Sequence, residues 1–310
     1  MKLPQNPKTA FPYVFLLAIL LGLNTIVSRS ALESTSPFTL NAVRVFITSA
    51  IYLIAFAVVP NWRWPRDPIV WLQAGIWGII GFALPLTAFM HVLQYFSSGV
   101  TSLFGTTSPV IVAILSHFLL EDERLNLPKI AGSLIAFIGV AIILMSGETG
   151  LGSLATPDWR GYVWVVIGVL SGASGVVYSR LFLRNMDTIQ ATGIRTLVAS
   201  VILIALAWVT GNANLQPILN GETLLSLVYL ASAGTFFAFI LEFRIIQWFG
   251  AGPASQMSYM LPPVATSLGV IFLDEKISIT FLTGMVIIFA GLFLLNSRGK
   301  GNHPARPLST

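Results

Sequence analysis

"DERLNLPKIAGSLIAFIGVAIIL", residues 122–144, and "DEKISITFLTGMVIIFAGLFLL", residues 274–295, carry the same order of features twice: an acidic–basic corner, then a long apolar run with spaced glycines. Asp122 and Asp274, Gly132 and Gly284, Phe137 and Phe289, and Gly139 and Gly291 are each 152 residues apart. Arg29 and Arg180, and Arg44 and Arg195, are each 151 apart. A register held across two half-chains implies an internal duplication, which has to be recognised before any fold is assigned.

The solvent in which these runs sit follows from composition. Of 310 residues, 55% are hydrophobic and 9% charged, with a mean hydropathy of +0.82. A soluble domain carries about 25% charged residues, so this chain has too little polar surface to cover itself in water. Lipid is the expected solvent. The absence of cysteine excludes a disulfide framework and cysteine-based metal sites. No cofactor or metal is expected. The net charge of +5 is spread through short loops, which suits topology signals better than a nucleic-acid surface.

A membrane helix takes about 20 mostly apolar residues. That rule predicts ten spans, at 12–31, 38–59, 69–89, 100–120, 130–146, 162–182, 189–209, 224–246, 254–273 and 277–295. The third can extend through His91 to Tyr95, since only "SSG" separates it from the fourth. The N-terminal "MKLPQNPKTAFPYVFLLAILLGL" has the look of a signal peptide, but with further spans behind it the expectation is a first membrane helix. Twelve of the 17 Lys and Arg residues then fall on the side of the termini, three (Arg29, Arg160, Lys276) on the other, and Arg44 and Arg195 within spans. The positive-inside rule places both termini in the cytoplasm. Expected units are a cytoplasmic N-terminus (1–11), a first five-helix repeat (12–146), a linker (147–161), a second repeat (162–296) and a disordered tail (297–310). Five is odd, so the second repeat enters the membrane upside down. Such inverted repeats form a midplane cavity that can open to either face.

This pattern resembles the ten-helix, EamA-like type of the drug/metabolite transporter superfamily. The resemblance covers roughly Phe11 to Asn296 and rests on "LNAVRVFI" in span two, the prolines of spans four and nine, and the acidic corner before the glycine-spaced spans five and ten. It implies transport without ATP hydrolysis, in keeping with the absence of a Walker loop, and export of amino acids or related small metabolites across the inner membrane. The shorter four-helix branch uses a glutamate within its first helix for proton exchange. The first span here has none, because Glu33 falls at its end.

Broken helices at matching positions of two repeats point to a transporter site. "FGTTSPV" and "SYMLPPV" supply Pro109, Pro262 and Pro263 as expected helix breaks. Polar residues at helical spacing mark cavity faces on spans one, three, four, six, eight and nine. The candidate substrate-binding residues are Asn24, Ser28, His91, Tyr95, Thr101, Ser108, Ser174, Tyr178, Ser255, Gln256 and Tyr259. For His91 the alternative is a hydrogen-bonded structural role. Arg44, Arg195 and Glu242 are candidates for gating or proton coupling. Each arginine snorkels to the interface or finds a partner, and Arg195 is expected to pair with Glu242, whose repeat equivalent is Met90, or to hold it ionised until substrate or a proton competes. With no conspicuous central carboxylate, zwitterionic or neutral solutes are slightly favoured. Gly132/Gly139 and Gly284/Gly291 permit close helix approach, within the fold or at a homodimer contact.

Two rival readings exist. "GASG", residues 172–175, matches the GxSG spelling around the nucleophile of rhomboid-type intramembrane proteases, with Ser174 and His91 as a dyad. That family lacks an inverted duplication. The other rival is a membrane scaffold that transports nothing.

Overall fold

The computed structural model describes residues 10–60, 62–120, 125–151, 158–183, 186–249 and 257–296. The corner at Asp122 and Arg124, the candidates Ser255 and Gln256, and the tail 297–310 lie outside these residues. The described residues form ten apolar helices, eight of full membrane length and two shorter. They are α1 (Phe11–Ala31), α2 (Pro37–Val58), α3 (Pro68–Tyr95), α4 (Ser98–Leu119), α5 (Leu127–Met145), α6 (Trp159–Phe182), α7 (Thr188–Val209), α8 (221–249), α9 (Met257–Leu273) and α10 (Ile279–Asn296). Large apolar side chains such as Phe46, Ile54, Phe118, Ile138 and Phe293 remain exposed around the bundle, as a lipid-facing surface requires.

Local sequence sets the helix ends. Ser36, Asp67, Ser97, Asn126, Asp158 and Asp187 each accept a backbone N–H of the first turn, and proline follows directly at Pro37 and Pro68. The third helix does run to Tyr95, but it is not uniform. Ile79–Ala83 form a π-helical turn, and Ser232–Phe237 form another in α8, 153 residues later. Pro85 has no N–H to offer Gly81, and the Leu84 N–H reaches back five residues to Ile79 O. At the equivalent place in α8, Ala238 has its N–H and bonds Ala233 O, so proline is not required for the turn.

Of the expected breaks, one is observed. α4 is interrupted at Thr106–Thr107, between Gly105 and Ser108, just before Pro109. The two threonine hydroxyls bond Leu103 O and Phe104 O there. Pro262 and Pro263 instead lie inside the continuous helix α9. A helix can tolerate such residues in lipid where neighbouring groups satisfy the freed carbonyls.

Packing obeys the duplication. α1 lies on α9 as α6 lies on α4, α3 on α7 as α8 on α2, and α1 on α8 as α6 on α3. The remaining principal contacts, α2 with α7, α4 with α9 and α5 with α10, map onto themselves when the repeats are exchanged. This is the contact pattern of a pseudo-twofold axis, and the fold is two inverted five-helix repeats. α5 and α10 cross at their glycines. A Cβ on Gly132 would meet Gly291 O at 2.5 Å, and one on Gly139 would meet Gly284 O at 2.8 Å. These glycine faces are thus used inside the chain. A dimer contact through the two helices would have to use their outer faces. Gly291→Val should therefore lower the thermal midpoint in detergent by the equivalent of about 2 kcal/mol or more. Ile138→Ala, on the exposed side of α5, should leave it within error.

Candidate functional site

A cavity of about 460 Å³ lies between the repeats, within the size range of small-molecule sites. It is bordered by α1, α3, α4, α6, α8 and α9, the six helices whose polar faces the sequence marks. The residues at its wall include Asn24, Phe82, Phe89, Met90, Thr101, Ser102, Gly172, Phe239 and Glu242. Met90 and Glu242, 152 residues apart, occupy matching places in the two repeats, and only one of them carries charge.

Several candidates stand elsewhere. His91 does not border the cavity. Its Nδ1 pairs with Thr87 O at 2.9 Å, and its ring stacks on Trp164 (4.2 Å between centroids) and meets Phe38 edge-on. Ser174 shares no hydrogen bond with it, so the protease dyad is not assembled. Ser28 is fully buried, Tyr178 packs on Phe182 of its own helix, Tyr259 on Phe289, and Tyr95 beneath Gly161. Ser108 begins the second half of α4. Of the substrate-binding candidates within the described residues, Asn24 and Thr101 reach the wall. On α6 the cavity is met by Gly172 rather than by the Ser171–Ser174–Tyr178 stripe.

Neither arginine within the spans snorkels. Arg44, 2% exposed, directs Nε and Nη2 at the hydroxyl oxygen of Thr235, at 2.9 and 2.7 Å. Thr235 belongs to the π turn of α8 and donates its own proton to Leu230 O. Arg195 is also buried, and its guanidinium lies 4.4, 4.9 and 4.6 Å from the ring centroids of Trp77, Phe82 and Phe239. The expected direct ion pair with Glu242 is not formed. Phe82 and Phe239 border the cavity and also contact Arg195, which places the cation behind an aromatic wall.

One cluster was not foreseen. At the other end of the bundle from Glu242, Arg29 donates through Nη1 to Leu93 O (3.0 Å) and Phe96 O (2.7 Å), and its Nε lies 3.5 Å from Glu275 Oε1. Glu275 in turn accepts from Ser98 N at 2.7 Å and Gly99 N at 3.4 Å, capping α4. Asp274, with φ of 52°, makes the left-handed turn after α9, and Glu275 then lies across Gly269, where an added Cβ would sit 2.2 Å from its carboxylate. Backbone bonds from Ser97 N to Thr149 O and from Lys276 N to Gly150 O tie the adjoining segments. The only sequence signals were the Arg29–Arg180 repeat match and the acidic corner itself. Thr235→Val should leave the Arg44 guanidinium without its acceptor and destabilise the protein by about 2 kcal/mol, read as a lower thermal midpoint.

The comparisons with known proteins agree with this architecture. The profile of the EamA-like transporter family matches residues 8–145 and again 159–297. The chain is 22% identical over 281 residues to the uncharacterized transporter YoaV of Bacillus subtilis, covering 88% of this chain and 91% of that one. It is 23% identical to protein PecM of Dickeya dadantii, with 88% of each covered. It is also 23% identical to a chloroplastic WAT1-related protein of Arabidopsis thaliana, of whose length it spans 66%. A solved crystal structure superposes with a TM-score of 0.64 at 22% identity, covering 94% of this chain and 98% of the other. The chain is a multi-pass membrane protein, and it belongs to the EamA-like transporter family.

Proposed function

We propose that this membrane transporter works by alternating access, carrying small metabolites outward across the inner membrane, with both termini in the cytoplasm. The observation that carries the reading is the cavity between inverted repeats, together with the Arg29–Glu275 ion pair, a latch that joins the two repeats and holds the carbonyl of the cavity residue Leu93. A midplane site shared by two inverted repeats can be exposed to each face in turn by rocking one repeat against the other. The latch suits such a gate. Its cation and anion come from different repeats, and Glu275 satisfies N–H groups at the end of a helix that borders the cavity. Parting the two halves breaks the ion pair and the cap together, leaving each charge to water. The excess of Lys and Arg on the side of the termini supports the cytoplasmic orientation.

The chain has no cysteine, so a single introduced thiol reports cleanly. Ser102→Cys, at the cavity wall, should resist a membrane-impermeant maleimide applied from the Arg29 face of sealed vesicles. Adding Glu275→Ala or Gly269→Ala should raise its labelling rate severalfold. Equal rates with and without the latch would overturn the gate assignment, and failure of any solute to exchange across proteoliposomes would overturn the carrier.

A further inference from the structure

We infer that the cavity reads its solute through an ammonium group, and that it favours an amine with a compact apolar body over its carboxylate-bearing counterpart. The inference rests on the carrier reading above and names the substrate class for the same cavity.

Among the described residues bordering the cavity, Glu242 is the one formally charged side chain; no Lys, Arg or His stands at the wall. Its carboxylate makes no hydrogen bond or ion pair with a described residue. Its expected partner Arg195 is engaged instead among three rings.

The neutral groups point the same way. Thr25, Ser102 and Thr106 donate their hydroxyl protons to Leu21 O, Gly99 O and Leu103 O of their own helices. What each can still present to the cavity is an oxygen lone pair. Asn24 Oδ1 is buried against Gly234 and has no donor, and the hydroxyl of Thr101, 4% exposed, has no partner. The three engaged hydroxyls thus present acceptors, and the donors left to the wall are the Asn24 amide and the Thr101 hydroxyl. A buried acceptor left unmade is costly, and a carboxylate in an apolar wall more so. An ammonium brings three N–H donors and the opposite charge. A solute carboxylate would face the like charge of Glu242 and three hydroxyls whose protons are already given to backbone carbonyls. Phe82, Phe89 and Phe239 supply apolar area and ring faces for the solute's body. The sequence slightly favours zwitterionic or neutral solutes; Glu242 at the cavity, rather than in a pair with Arg195, is the ground for proposing an amine instead.

Calorimetry on the purified chain in nanodiscs tests this with four ligands of one body: phenethylamine, phenylalanine, 3-phenylpropionate and 2-phenylethanol. The amine should bind at least about tenfold more tightly than the others, and Glu242→Gln should remove that advantage while 2-phenylethanol binding persists. A zwitterion or acid binding as tightly as the amine, an advantage that survives Glu242→Gln, or no binding by any of the four would overturn the inference. Should the variant fail to fold, carbodiimide modification of Glu242 in the unaltered protein gives a second reading. Phenethylamine should slow it and 3-phenylpropionate should not; equal protection overturns the assignment. Selective amine binding in a protein whose thiol labelling ignores the latch would leave the substrate class standing and remove the gate.

Discussion

An arginine within a bilayer has to be met by groups beyond its own helix, since neither water nor lipid will solvate it there. Arg44 and Arg195 set this condition here, Arg29 stands at the end of α1, and all three are met from the opposite repeat. Arg29 of the first repeat reaches Glu275 of the second, Arg44 reaches Thr235 of the second, and Arg195 of the second lies on Trp77 and Phe82 of the first. The repeats are thus joined by charges that would be stranded if they separated, as well as by apolar packing. Lipid gives little hydrophobic reason for two helices to prefer each other over acyl chains, so such polar obligations and the glycine crossing of α5 on α10 determine which faces meet.

Duplication fixes where things stand but not what they do. Arg44 and Arg195 are equivalent in position and both are buried, yet one is held by a hydroxyl and the other by aromatic faces. Thr235 and Phe82, their respective partners, belong to the two π turns, at Ser232–Phe237 and Ile79–Ala83. The same departure from α geometry, 153 residues apart, therefore presents a polar group once and a ring once. Met90 and Glu242 show the same divergence at the cavity wall. Position was inherited in pairs, whereas chemistry was settled one repeat at a time, and a cavity with chemical polarity can arise from a symmetric frame in this way.

The duplication and the ten spans were legible because apolar runs and charge alternation are one-dimensional signals. The six cavity-bordering helices were legible for a related reason, since polar residues in lipid concentrate where water or ligand can reach. Individual side chains were not. Helices buried among other helices have polar residues on more than one face, and hydroxyls can satisfy themselves on the preceding turn, as Ser171 does on Ile167 O. Periodicity alone could not tell the Ser171–Ser174–Tyr178 stripe from the glycine face at Gly172 that meets the cavity. The π turns left almost no trace beyond Gly81 and Gly234, which lie in equivalent places. The latch was hidden because Arg29 reads as a topology signal and Glu275 as a loop acid until the left-handed Asp274 brings them together.

The glycine crossing also limits how the repeats can move. Backbone atoms of Gly132 and Gly291, and of Gly139 and Gly284, approach so closely that no methyl group would fit between them. Packed interfaces of this kind shift between discrete arrangements rather than slide. α5 and α10 therefore suit a fixed hub. The irregularities fall instead on helices that border the cavity: α4 is divided at Thr106–Thr107, and α3 and α8 carry π turns at comparable depth. These irregular turns leave helix segments that can tilt without breaking a continuous ladder of backbone hydrogen bonds. Glu242 lies beyond the π turn of α8 and Leu93 beyond that of α3, so the acid that would hold a solute and a carbonyl that anchors the Arg29 latch both belong to such segments. In the proposed carrier cycle, occupation of one and opening of the other would need only the tilting of short segments about the same two turns.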